Sequence, residues 1–289
     1  MLLINRFLQK PKESFFLFGP RGTGKSTWLS ACFPKALWID LLDPALLRTY
    51  SAHPEYLEAL VAGAEKKHIV IDEVQKIPEL LTVVHRLIEM KKNWQFILTG
   101  SSARKLKRAG VDLLAGRAIV EHMHPFMAAE LSDRFQLKKA LHYGMLPQVA
   151  LSENPESILR AYIGIYLKEE VQAESFVRNI GHFSRFLEVM SFSHGCIINL
   201  NNIARESQVS RALVEGYLSV LEDLLLCFQL PVFTRRAKRD TILHKKFYYF
   251  DAGVFRYLRS VGPMDVASEI NGAALEGLVA QHLKAWNDY

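Results

Sequence analysis

The chain has 289 residues, 49% of them hydrophobic, with a mean hydropathy of +0.04. That is enough for two or three compact units with cores of their own, and it excludes a disordered or fibrous chain. With 36 Lys and Arg against 30 Asp and Glu the net charge is +6, a mild bias compatible with nucleic acid and too small to prove it.

Cys32, Cys196 and Cys227 lie far apart among apolar neighbours, with no metal-ligand spacing, which predicts reduced thiols. Arg6 and Lys10 come too early for a leader's apolar core, and no window has the apolar length to span a bilayer. The expectation is a cytoplasmic protein.

In chain order, Ile4–Lys12 has the spacing of a short amphipathic helix ending at Pro11. The apolar run Phe15–Phe18 then predicts a buried strand, and it stops at Gly19. Gly19, Pro20, Arg21, Gly22, Thr23, Gly24, Lys25 and Ser26 fit G-x-x-x-x-G-K-[ST], the phosphate-binding loop, with Thr27 directly after it. Its glycines let successive N–H groups turn inward around phosphate oxygens, and the helix predicted over Ser26–Phe33 offers its positive end. Lys25 is expected on the β- and γ-phosphates and Ser26 on Mg²⁺. Arg21 is expected to be structural or to face solvent. The loop predicts a nucleoside triphosphate ligand.

Further strands are predicted at Ala36–Leu41, His68–Ile71, Trp94–Thr99 and Ala118–His122. Between them, Pro44–Gly63 reads as a helix burying Leu46, Leu47, Tyr50, Tyr56, Leu57, Leu60 and Val61, and Pro78–Lys91 as one burying Leu80, Leu81, Val84, Leu87 and Ile88. This alternation predicts a parallel α/β sheet with its ligand beyond the strand C-terminal ends. Asp72 and Glu73 end the second of these strands. Asp72 is expected to hold Mg²⁺, and Glu73 to polarise the water that attacks the γ-phosphate. A base poised for water argues for hydrolysis of ATP over a small-molecule kinase. Thr99-Gly100-Ser101-Ser102 ends the third, where Thr99, Ser101 or Ser102 could orient the water; propensity for a turn would explain these small residues as well. Arg117 could reach a neighbouring subunit's γ-phosphate as a finger, or could be a surface or ion-paired arginine.

From Pro125 the pattern becomes helical: Ala128–Tyr143, Pro155–Val177, His182–Ser193, Leu200–Glu206 and Ser210–Leu225. Two strand-like runs follow, Leu226–Phe233 and Lys246–Phe250, flanking a basic stretch. Three helices and then a hairpin with a basic tip give the order of a winged helix. Arg235, Arg236, Lys238 and Arg239 at that tip could contact a DNA backbone, or could be a solvated hairpin end. Ser210–Tyr217 offers Arg211 and little else for reading base edges, so sequence-specific recognition is not supported. His122 and His124 have no evident third ligand.

GPRGTGKST, HIVIDEVQKIP, FILTGSSARKL and LLAGRAIVEHMHPFMAAEL, in this order, resemble the AAA+ ATPase domain of a family of prokaryotic predicted ATPases. YGMLPQV, IYLKEEV and KKFYYFDAGVFRYL resemble markers of the domain of unknown function that follows in that family. The resemblance implies nucleotide and Mg²⁺ on Lys25, Ser26, Asp72 and Glu73, a sensor in the Thr99–Ser101 turn, and Arg117 as finger. Met145 stands where a second glycine is usual, and Glu170 where an aspartate is usual. Members continue past a segment like Gly272–Trp286 into a nuclease-like domain, whereas this chain stops at Tyr289, so no nuclease activity is expected.

The expected fold is therefore a P-loop AAA+ α/β domain over 1–130, a helical lid over 131–180, a winged-helix α+β domain over 181–259 and the start of a further, truncated segment over 260–289. ATP hydrolysis would move the lid and winged helix relative to the core, acting on DNA or, alternatively, as a slow nucleotide-switched module binding a protein. A homo-oligomer is an expected state.

Overall fold

A computed structural model describes residues 4–100, 114–167, 177, 179–231 and 245–289. Two compact units are present, one running to His124 and taking in Asp288 and Tyr289, the other Pro125–Asn287.

The first unit is built on a five-stranded sheet. Its strands are β1 (Phe15–Phe18), β2 (Leu37–Asp40), β3 (His68–Asp72), β4 (Gln95–Gly100) and β5 (Ile119–His122), all parallel and in the order β2-β3-β4-β1-β5. β1 lies between β4 and β5 and is apolar on both faces, which is why FFLF shows no alternation. On one face Phe15 and Leu17 pack with Trp28, Leu29, Phe33, Val70, Ile97 and Met123. On the other, Phe16 and Phe18 stack at 5.5 Å. β5 is an edge strand and leaves Ile119 and Val120 exposed.

Helix α1 (Lys25–Cys32) follows β1, and α4 (Leu80–Glu89) follows β3. The single helix expected over Pro44–Gly63 is two, α2 (Pro44–Ala52) and α3 (Tyr56–Gly63). Pro54 has no N–H to donate and keeps His53 out of the helical region, at φ −138° and ψ 71°. Tyr56 and Leu60, placed on the buried face by their spacing, are exposed as a result. No helix forms over 4–12 either. A segment this short gains little from helix nucleation, and tertiary contacts hold it in an irregular conformation instead: Leu8 enters the core, and Arg6 donates to the carbonyls of Thr23 (3.0 Å) and His124 (2.6 Å).

The second unit is mainly helical: α5 (Ala128–Leu131), α6 (Leu137–Tyr143), α7 (Pro147–Ala150), α8 (Pro155–Ala161), α9 (Ile180–Ser191), α10 (Leu200–Ser207), α11 (Arg211–Asp223), α12 (Ala252–Leu258) and α13 (Ala267–Asp288). The long helix expected over Ala128–Tyr143 breaks at Ser132, whose φ of 49° is left-handed. The one expected from Pro155 leaves α geometry after Ala161 for a π turn, Tyr162–Leu167. Side-chain caps at Asn179, Asn199 and Ser210 start α9, α10 and α11. β6 (Cys227–Leu230) and β7 (Lys246–Tyr249) then pair antiparallel, so the order of three helices and a strand pair is present.

One core joins these pieces. Leu146, Val149, Leu159 and Tyr162 share it with Phe183, Phe186, Tyr217 and Phe255. Tyr217 lies edge-on to Phe183 at 5.0 Å. The buried carboxylate of Asp251 accepts from the N–H groups of Met145 (2.6 Å), Gly253 (2.9 Å) and Val254 (3.2 Å), which caps α12 and ties it to the turn before α7. Among the described residues, no helix is long and apolar enough to cross a membrane.

Candidate functional site

The parallel register brings Phe18, Asp72 and Gly100 to one edge of the sheet, and the loop from Gly19 to Gly24 leaves β1 there. The loop needs its glycines for two reasons. A Cβ on Gly19 would sit 2.3 Å from the carbonyl oxygen of Met123, so the backbones pass too closely for any side chain. Gly22 and Gly24 take φ of 83° and 91°, with Gly24 as the N-cap of α1. Thr23 closes the loop, its hydroxyl donating to the Pro20 carbonyl at 2.8 Å. Arg21 and Thr27 are exposed.

Lys25 opens α1 and is buried, its ammonium donating to the carbonyls of Gly19 (2.6 Å) and Pro20 (3.3 Å). It is thereby held over the loop. One residue on, the hydroxyl of Ser26 donates to Asp72 Oδ2 at 3.0 Å. Local sequence makes each half of this contact, and the neighbouring strands bring the halves together across 46 positions.

Asp72 is buried at the end of β3, and its other oxygen, Oδ1, accepts from the hydroxyl of Thr99. The same hydroxyl accepts the N–H of Glu73 at 3.0 Å. A hydroxyl has one hydrogen to give, so Thr99 is committed to fastening Asp72 and Glu73 together. Glu73 itself is left-handed, at φ 59° and ψ 44°, a conformation that costs a non-glycine residue about 1 kcal/mol. The turn directs the chain into the short 3₁₀ segment Val74–Lys76, where the Gln75 amide donates to the Glu73 carboxylate.

The predicted residues separate as follows. Lys25, Ser26, Asp72, Glu73 and Thr99 come together at one sheet edge. Ser101 and Ser102 lie outside the described residues, as do Arg235, Arg236, Lys238 and Arg239. Arg117 is placed just before the N-terminal end of β5, at the opposite edge of the sheet. There it is exposed and its Nε donates to Glu89, whose carboxyl is held below its ordinary range by that hydrogen bond. Sequence reasoning missed two contributors. Gln75 carries no signal beyond being polar two residues after Glu73, and Arg6 precedes every motif. His124 pairs with Asp288 at 2.7 Å, and no cluster of metal-ligating side chains occurs among the described residues.

The donor set of Ser26 and Asp72, one hydroxyl and one carboxylate 3.0 Å apart beside a phosphate-binding loop, consists of hard oxygens and fits Mg²⁺. The fit rests on the chemistry of those two groups.

Residues 11–132 match a family model described as an AAA domain, and residues 134–265 match one described as a Domain of unknown function (DUF8612). No curated protein matches. A solved structure of the replication initiator DnaA bound to AMPPCP and single-stranded DNA is similar at 14% identity and a TM-score of 0.34, over 73% of this chain and 82% of that one.

Proposed function

We propose that this chain, an AAA-type P-loop domain followed by a domain of unknown function, binds ATP with Mg²⁺ and hydrolyses it. The observation that carries this reading is the hydrogen-bonded chain from Ser26 through Asp72 to Thr99 and Glu73, at the edge where the loop leaves the sheet. Lys25 moves from the loop carbonyls to the β- and γ-phosphates, exchanging neutral acceptors for charged ones. Ser26 and Asp72 hold the metal, which when bound supplies positive charge to the phosphate oxygens. Glu73 accepts a proton from the attacking water, and Thr99 keeps the two carboxylates in register. Glu73→Gln should retain ATP binding, read by fluorescent-nucleotide titration, and lose phosphate release by roughly 100-fold or more; undiminished release would remove Glu73 from the reaction.

In the same reading the second unit is the moving part. α9, α10, α11 and the β6–β7 pair form a winged helix, and α7 and α8 move with it because Val149 and Leu159 share its core. Arg235, Arg236, Lys238 and Arg239 then contact a DNA backbone. Replacing all four with alanine should abolish DNA stimulation of phosphate release and flatten the salt dependence of binding. The alternative is a slow nucleotide-switched module with a protein partner, favoured by the contact that engages the Glu73 carboxylate with Gln75. It predicts slow release of phosphate and no DNA binding at low salt.

A further inference from the structure

The end of the sheet away from the phosphate-binding loop carries a row of lysines. All five strands are parallel, so their N-terminal ends share one edge. Lys12 precedes β1, Lys35 precedes β2, Lys66 and Lys67 precede β3, and Lys91 and Lys92 precede β4, all of them exposed. The same short stretches hold the acids Glu13 and Glu65. Burial holds the His68 imidazole, at the start of β3, below its ordinary range, and the charges of Lys10 and Lys67 push it the same way. Lysines from separate segments thus act on one place.

The fold itself uses part of this charge. Helices α1, α3 and α4 each end shortly before a strand begins, and a helix C-terminus carries partial negative charge that a lysine complements. Lys10 does this for α1, donating to the Cys32 carbonyl at 2.9 Å. The ammonium groups of Lys12, Lys35, Lys66, Lys67 and Lys91 have no hydrogen bond or ion pair among the described residues. Like charges massed in this way repel one another, and a polyanion laid along them relieves the repulsion.

The shape of the row indicates the partner. Strands in a sheet lie about 4.8 Å apart, so from β2 to β1 the row runs about 14 Å and is one sheet thick. A duplex presents one phosphate charge per about 1.7 Å of its axis, a line of charge to match a line of ammonium groups. An anionic lipid surface is a plane and takes apolar side chains together with cations. Here the rings of Phe33 and Trp94 lie under Lys10 (4.0 Å) and Lys92 (5.3 Å) instead. Groups suited to reading base edges are engaged elsewhere: Arg117 with Glu89, and Gln95 with the carbonyls of Pro11 and Glu13.

We propose that this edge binds the phosphate backbone of a nucleic-acid duplex without reading its sequence. Binding here requires neither ATP nor Arg235, Arg236, Lys238 and Arg239. The five unpaired lysines contribute about −4.5 to the slope of log K against log[salt].

The test is the anisotropy of a fluorescent duplex of about 30 base pairs, titrated with the full chain over a salt series without nucleotide. The parent should bind with a Kd of roughly 10 µM or tighter at low salt, equally for two unrelated sequences. Replacing Lys35, Lys66, Lys67 and Lys91 with alanine should weaken binding at least tenfold and make the slope shallower by about 3.6. Arginine at the same four positions should preserve both. Phosphate release without DNA should be unchanged in either variant, which separates this surface from the ATP reading. The alanine variant of Arg235, Arg236, Lys238 and Arg239 should still bind the duplex, and should lose that binding when the edge lysines are also replaced. A parent that does not bind overturns the proposal, and so does an edge variant with the parent's affinity and slope. Loss of all binding in the Arg235–Arg239 variant overturns it, as does a tenfold preference between the two sequences. Edge lysines needed for phosphatidylserine vesicles and not for the duplex overturn it in favour of a lipid surface.

Discussion

Asp72 in the first unit and Asp251 in the second are both buried carboxylates, 7% and 1% exposed, and they are satisfied by different kinds of partner. The oxygens of Asp72 accept from two side-chain hydroxyls, Ser26 and Thr99. Those of Asp251 accept from backbone N–H groups of Met145, Gly253 and Val254. A hydroxyl can rotate to another acceptor at little cost, so Asp72 can exchange partners without disturbing the sheet. Backbone donors cannot leave without unwinding a helix start or a turn, so Asp251 serves architecture. Burial alone does not separate the two roles, and the mobility of the partner does.

The sharpest way to break this contrast is to delete each carboxylate. Asp72→Ala should cost phosphate release at least 10³-fold, about 4 kcal/mol, with a melting temperature near that of the parent. Asp251→Ala should instead cost about 3 kcal/mol of stability, because it leaves buried N–H groups unpaired. Phosphate release and thermal melting on both variants decide it, and the opposite pattern would reverse the assignment.

A second test uses protons. Burial pushes the Asp251 carboxyl up to about 6, against the pull of its backbone donors. The folded chain therefore holds this proton better than the unfolded chain, whose carboxyl keeps its ordinary value of 3.8. The associated stability is fully present below pH 3.8 and is lost as pH rises through 6. Relative to Asp251→Asn, the parent should gain stability on going from pH 7.5 to 4.5, by about 2 kcal/mol. A difference flat across that range, measured by denaturant titration, would place the titration elsewhere.

The smallest effects concern Thr99 and Arg117. Thr99→Val keeps the shape and removes the hydroxyl, and release should fall about 10- to 100-fold, recovering in Thr99→Ser. Arg117→Ala breaks an exposed pair with Glu89 and should leave the melting temperature close to that of the parent; a larger loss of release than in Thr99→Val would give Arg117 a part in the chemistry.

Much of the site could be read from local pattern. Gly19–Ser26 is a contiguous signal because the phosphate cradle is built from consecutive N–H groups and a helix start, all within eight residues. Asp72 at a strand end was legible because a short apolar run closed by two acids has the pattern of a buried strand reaching solvent. The caps at Asn179, Asn199 and Ser210 also act over three residues, and the helices they start were placed within a residue or two. By contrast, the meeting of the Thr99 hydroxyl with Asp72 is a relation between strands 27 positions apart, which no local pattern carries.

Two further features show the same division. The N-terminal segment has helical spacing, yet the contacts of Leu8 and Arg6 with distant backbone and core outweigh a propensity worth a few tenths of a kcal/mol per residue. Arg117 stands close to β5 in sequence, and the parallel direction of that strand sends it to the edge away from Gly19. Motifs made of neighbouring residues were therefore legible along the chain, because their geometry closes within one turn or one strand end. The joining of Ser26 to Asp72 and of Thr99 to Glu73 waited on the strand order β2-β3-β4-β1-β5, because that order is chosen by the packing of whole faces and is written in no single segment.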